Sequence, residues 1–169
     1  YARMSPSKMK QLGLESGSVV CIMSVSQKQI FVAVYPHTTD DDGHSYESIP
    51  DHNLQLSRII RVQINAYLGQ QILLKTLNDQ IPVAQTVVLA PIFENIYRMT
   101  GTFDFQDLFT KKNPYDFTNV PVSKGLIIPI HGLEHTFEFV VVGFTPDNGN
   151  QVVVIKDEKS IKVNSSQMI

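Results

Sequence analysis

His131 and His135 stand four residues apart, a spacing that on a helix would turn two imidazoles toward one metal ion. Gly132 lies inside the interval and β-rich runs flank it. The pair therefore reads as a solvent-facing hairpin turn, and no metal site is expected. Asp40, Asp41, Asp42 and Gly43 are acidic enough to attract calcium, but they lack the alternating ligands and closing glutamate of a hand-type loop. His37, His44 and His52 share that polar stretch with nothing to fix their geometry, so it reads as a solvated loop. Cys21 is the only cysteine, which excludes an internal disulfide and fits a reducing compartment. Set between Val20 and Ile22, it reads as a small buried apolar residue and not as a nucleophile.

The remaining catalytic signatures are missing from the sequence. No glycine-rich loop ends in Gly-Lys-Ser or Gly-Lys-Thr, and no Gly-x-Ser-x-Gly elbow occurs. Asp-Thr-Gly and Asp-Ser-Gly are absent, so the paired carboxylates of an aspartic protease cannot be assembled from that motif. Gly17-Ser18 has the form of a self-cleavage dipeptide, as in pyruvoyl-dependent decarboxylases, but a turn explains it better. The expectation is a chain with no catalytic residue and no cofactor of its own.

Composition sets the frame. The 169 residues are 43% hydrophobic, enough for one domain or two small ones with a packed core. A formal net charge of −2 gives no general attraction to nucleic acid. No apolar run reaches membrane-spanning length, and no secretion signal is visible. The chain opens on Tyr1 without an initiator methionine, which reads as a piece of a longer protein.

The element that organises the chain is Ser57–Leu77, SRIIRVQINAYLGQQILLKTL. Ser57 can cap a short helix through its hydroxyl. Ile60 and Ile64 share one helical face, Gly69 suits a turn with positive φ, and Ile72, Leu73 and Leu74 form the apolar run of a covered strand. The same plan occurs 52 residues earlier in Ser5–Val25, SPSKMKQLGLESGSVVCIMSV. Ser5 pairs with Ser57, Leu12 with Ile64, Gly17 with Gly69, Val20 with Ile72, Ile22 with Leu74 and Val25 with Leu77. Pro6 fits the first helical turn. Two such interleaved strand–helix–strand units are the parts of a double-psi β-barrel.

The rest of the chain is read around these repeats. Gln29–Tyr35 is a strand, Pro36–Asn53 an exposed loop, and Leu54–Leu56 a short strand. Val83–Ala90 is expected to close a first unit spanning 1–90. Residues 91–102 form a connector, and 103–169 a second, all-β unit. Within it Asp104–Thr110 reads as a short helical turn or irregular strand. Leu126–Ile130 is a strand with Pro129 at an edge or bulge, and Thr136–Phe144 is the most strand-like run. Pro146-Asp147-Asn148-Gly149 marks a turn, and Gln151–Lys156 and Ile161–Val163 complete the strands. The expected fold class is mainly β with short helices, a double-psi β-barrel followed by a small four-stranded β-barrel.

In order and spacing the two units resemble the N-terminal domains of the valosin-containing protein family of AAA+ ATPases. Met4-Ser5-Pro6-Ser7-Lys8-Met9 through Leu12, Leu14, Gly17 and Val20 is similar to that family's first helix and strand. Arg58-Ile59-Ile60-Arg61 with Leu68-Gly69 is similar to its second repeat, and Ala90-Pro91-Ile92 to the end of its barrel. Ser123-Lys124-Gly125, Gly132 and Phe137-Glu138-Phe139-Val140-Val141 are similar to its second subdomain.

The resemblance implies a non-catalytic module that recruits adaptors and substrates to an ATPase extracting ubiquitylated proteins. Its partners would be adaptors with ubiquitin-like domains or arginine-rich helices, and ubiquitin itself. Carried over by position, the adaptor cleft would involve Phe31, Ala33, Tyr35, Val83, Tyr115, Phe117 and Asn119. His131 and His135 would face the ATPase ring. ATP and magnesium would belong to the parent, a homohexamer in the cytoplasm, the nucleus or at the endoplasmic reticulum surface. The sequence departs from the family at Val83 and Asn119, where tyrosines are usual, at both histidines, where arginines are usual, and in a longer insertion after Tyr35. Alternatives are the N-domain of a vesicle-fusion or peroxisomal ATPase, or a stand-alone double-psi barrel enzyme.

Overall fold

The computed structural model describes residues 1–37, 49–92, 106, 109, 117, 119–131 and 136–164. The chain is mainly β with short helices, and it divides into two compact units, Tyr1–Gln80 and Ile81–Ile169. Among the described residues no helix is long and apolar enough to cross a membrane.

The first unit begins with β1 (Ala2–Met4), α1 (Pro6–Gln11) and β2 (Ser18–Ser24). Ser5 caps α1, its Oγ accepting from the Lys8 N–H at 3.1 Å, and Pro6 sits in the first turn, where a missing N–H costs nothing. Gly13 then leaves the helix at φ 67, a left-handed step that ends helices cheaply. After β3 (Gln29–Pro36), the plan returns as β4 (Gln55–Leu56), α2 (Arg58–Gln63) and β5 (Ile72–Thr76).

The return is geometric down to single hydrogen bonds. Gly13 and Asn65, 52 residues apart, take φ 67 and 57, and Gly17 and Gly69 take 87 and 75. Met9 N–H donates to Ser5 O as Arg61 N–H does to Ser57 O, and Leu14 N–H to Met9 O as Ala66 N–H does to Arg61 O. In each following turn a side chain accepts a backbone N–H three residues earlier, Glu15 N–H to Ser18 Oγ and Tyr67 N–H to Gln70 Oε1. One expected bond is missing. Ser57 holds the N-cap position with an extended backbone but makes no side-chain capping bond. It is exposed, so water can serve the free donors of that turn.

The sheet of this unit runs β4-β1-β3-β2-β5. β1 lies parallel to β3, and β2 forms an antiparallel hairpin with β3. The two repeats meet twice, each time with equivalent residues opposed. Ile22 faces Leu74 where β2 meets β5, and Arg3 faces Gln55 where β1 meets β4. Val20, Ile22, Val32 and Val34 are buried along the centre of the sheet, each such side chain contributing roughly 1.5–3 kcal/mol.

The second unit contains β6 (Thr86–Pro91), β7 (Val120–Val122), β8 (Ile127–His131), β9 (Thr136–Thr145), β10 (Val153–Ile155) and β11 (Ile161–Val163). A four-stranded sheet runs β11-β6-β9-β8, and β10 pairs with β7. Its core gathers Val87, Leu89, Val122, Ile130, Ile155 and Ile161 around Phe109 and Phe139, whose rings meet edge-on at 5.2 Å. Pro129 lies in β8, the edge strand, where its missing N–H is tolerated.

Two expectations change here. The run Ile72–Leu74 is not a covered strand, because Leu73 is 61% exposed. The strand expected to close the first unit, Val83–Ala90, instead belongs with the second, because β6 spends both edges on β9 and β11. Only Gln106 and Phe109 of Asp104–Thr110 are among the described residues. The Gln106 side chain works as a short piece of strand, donating to Ile161 O at 2.9 Å and accepting from Val163 N–H at 2.8 Å.

The left-handed step at Asn65 gives a direct test of the repeat geometry. Asn65→Gly should leave stability unchanged or slightly raised, whereas Asn65→Val should cost roughly 1–2 kcal/mol. Urea unfolding of the two variants checks this, and equal midpoints would contradict the assigned conformation.

Candidate functional site

β3 places three of the residues carried over for adaptor binding. Phe31 and Ala33 are buried, and Tyr35 is half-buried near the end of the strand. Phe31 stands opposite Cys21 and Ala33 opposite Val19 across the hairpin. Strand alternation puts Phe31, Ala33 and Tyr35 on one face, but β3 is covered on both faces along Ile30–Val34. The side chain of the three with most accessible surface is Tyr35. Its ring meets Tyr1 edge-on at 5.8 Å, and the Arg3 guanidinium lies over Tyr1 at 5.6 Å. A Cβ on Gly17 would stand 3.9 Å from the Tyr35 ring and hydroxyl, so this turn is where Tyr35 lodges.

The second unit holds the others. Val83 is 50% exposed and bridges to Val154. Asn119 has φ 62, a conformation asparagine accepts more readily than an aromatic residue, and its Oδ1 accepts from Lys156 Nζ. Phe117 is buried, its ring 5.7 Å from Phe109. Tyr115 lies outside the described residues, as do His135, His44 and Asp40–Asp42. His131 is exposed at the end of β8 with Nδ1 2.7 Å from Thr136 Oγ1. Phe31, Ala33 and Tyr35 are thus placed together on β3, while Val83, Phe117 and Asn119 belong to the other unit.

The residues with chemical potential have structural employment. Cys21 is buried, its Sγ 3.8 Å from Gln29 Oε1. Burial pushes its thiol pKa up, with Lys75 opposing, which keeps it a poor nucleophile at neutral pH. Ser18 Oγ is used by the Glu15 N–H inside the turn. Among the described residues, no group of three or more His, Cys, Asp or Glu side chains could hold a metal ion.

Asp51 is a polar anchor that no motif announced. Its Oδ1 accepts from the Ser5 hydroxyl at 2.5 Å and also from the Ser7 hydroxyl. The α1 cap is thereby tied to the C-terminal end of the Pro36–Asn53 loop. The two hydroxyls, Ser5 first, hold the Asp51 carboxyl below the usual carboxylate range, helped by Lys8 and His52. A scan against protein-family models and a search of curated proteins both give no match.

A carboxylate whose pKa is lowered by folding stabilises the fold above its unfolded pKa, about 4, and loses that contribution as pH falls through the lower folded value. Wild type should therefore be more stable than Asp51→Asn at pH 7, and the two should converge in strongly acidic buffer. Thermal unfolding across pH 2–7 reads this, and a gap of constant size would sink the assignment.

Proposed function

We propose that this chain is a non-catalytic binding module that recruits adaptor proteins, as the N-terminal domains of valosin-containing-protein-type AAA+ ATPases do. The observation that carries the reading is the repeated β–α–β plan of the first unit, with equivalent residues opposed at both meetings of the repeats. In this reading that plan is one half of the case for a double-psi β-barrel, and the separate small β unit that follows it, as in the family's order, is the other. The structural employment of Cys21 and Ser18 favours binding over a barrel enzyme. ATP, magnesium and a hexameric ring belong to the parent in this proposal, with work in the cytoplasm, the nucleus or at the endoplasmic reticulum surface.

In this reading Tyr35 is the adaptor-facing residue of the first unit, and Val83 and Asn119 are those of the second. Exposed aromatic and aliphatic anchors of this kind seat amphipathic helices. Phe31 and Ala33 act as support within the first unit and Phe117 within the second, since they are buried. Tyrosine at the Asn119 position would meet the strain of φ 62. Val83, half exposed, is the position where the family's tyrosine is more easily restored.

An NMR titration of the isotope-labelled chain with an arginine-rich helical peptide tests the proposal. Amide shifts should concentrate at Tyr35, Val83 and Asn119, and Val83→Tyr should tighten binding by at least about tenfold, near 1.4 kcal/mol. A dispersed, unshifted spectrum at millimolar peptide would reject it.

A further inference from the structure

The two repeats of the first unit serve as controls for one another, and the comparison isolates a surface. Val62, Tyr67, Leu68 and Leu73 are 63%, 77%, 82% and 61% exposed. The equivalents of the first three, 52 residues earlier, are Lys10, Glu15 and Ser16, all exposed and polar. Backbone hydrogen bonds around these positions repeat between the two copies. The backbone plan therefore does not require apolar side chains there, and exposing them is unfavourable without a partner.

The same region carries one sign of charge. Between Ser57 and Leu77 the cations are Arg58, Arg61 and Lys75, and there is no carboxylate. Arg58 and Lys75 are exposed. The region also ends a sheet. β2 has β3 on one side and β5 on the other, whereas β5 pairs with β2 alone among the described strands. Ser18–Met23 of β2 pair with β3, and the equivalent edge is Gln70–Lys75. Its counterpart of β3, residues 81–88, is not available, because β6 spends both edges in the second unit. Native sheet edges are usually blunted by charge, proline or a covering segment. β5 has one lysine and an exposed Leu73.

We infer that the α2–β5 face of the first unit is a docking surface for an extended, acidic and apolar peptide segment, which adds as a strand to the open edge of β5. Main-chain hydrogen bonds to Gln70–Lys75 give such a strand its hold. Leu73 and Lys75 share the exposed face of β5, so on that face of the added strand an apolar side chain lies beside Leu73 and a carboxylate two residues along lies beside Lys75, with further apolar residues toward Tyr67 and Leu68. This surface lies within the first unit and does not depend on the adaptor reading.

The probe is a fluorescein-labelled twelve-residue peptide repeating valine–threonine–glutamate–threonine, which sets valine and glutamate on one face, with a valine–threonine–lysine–threonine twin as control, read by fluorescence anisotropy on the full chain. The acidic peptide should bind saturably and at least tenfold more tightly than its twin, with amide shifts in Gln71–Thr76. Grafting the first repeat's residues, Val62→Lys with Tyr67→Glu and Leu68→Ser, should weaken binding at least tenfold. Leu73→Glu, at a side chain already exposed, should do the same, and a dispersed NMR spectrum certifies either variant as folded. Four results would overturn the proposal: equal binding of both peptides, unchanged binding by folded Leu73→Glu, no binding of the acidic peptide at 1 mM protein, or a concentration-dependent dimer abolished by Leu73→Glu. The last would make a second copy the occupant.

Discussion

The ladder between β2 and β5 is the constraint on which the first unit depends. It sets Ile22 opposite Leu74 and Val20 opposite Thr76, so each residue faces the region of the other repeat that corresponds to its own. Two chains related in this way must be joined by an approximate two-fold, and β1 with β4 repeats the relation at Arg3 and Gln55. Because side chains alternate across a strand, a slip of one residue would turn Ile22 and Val20 away from the buried face. Burial of these side chains thus fixes the register, and the register fixes where α1, α2 and their turns lie.

The two-fold belongs to the backbone, and the side chains depart from it. α1 buries Met9, whereas α2 buries Ile60, one position earlier in its repeat. Arg61 takes the place of Met9, with its Nε buried and without a hydrogen-bond partner among the described residues. The departure is complete at the third strand. Gln29–Pro36 holds its proline at the last position, but residues 81–88 carry Pro82 at the second and Gln85 in the middle. Pro82 cannot donate to a ladder and instead accepts from Val154 N–H. This part of the second repeat is drawn into the other unit by a partner more than 70 residues away.

Local signals were therefore legible in the sequence, and long-range ones were not. Ser5, Pro6, Gly17 and Gly69 announce their roles because a cap or a left-handed turn is decided within a few residues. The edge position of Pro129 follows from its missing donor. The partner of β6 could not be read, since a β-branched run states that it is a strand and not which strand it joins. Alternation at Phe31, Ala33 and Tyr35 likewise could not tell a lined surface from an interior, because β3 is covered on both faces through Val34. The tie from Asp51 to Ser5 spans 46 residues, and no motif encodes it. Asn119 declares its positive φ only weakly, as asparagine occurs there by tolerance and not by requirement.

What the chain does with its polar groups bears on its kind of function. Catalysis needs nucleophiles and bases poised toward an accessible cavity, with pKa values brought near the working pH. Here the Ser18 hydroxyl holds a turn, Asp51 holds two serines, and Gln106 completes a strand. The shifts point away from reactivity too, with a thiol raised by burial and a carboxyl lowered by hydroxyls. The large exposed apolar side chains are unevenly shared: Val62, Tyr67, Leu68 and Leu73 lie in the second repeat, against Val25 in the first. They run from α2 into β5, which has a single neighbour among the described strands, so the repeat that lost its third strand is also the one with apolar surface left uncovered by the described residues.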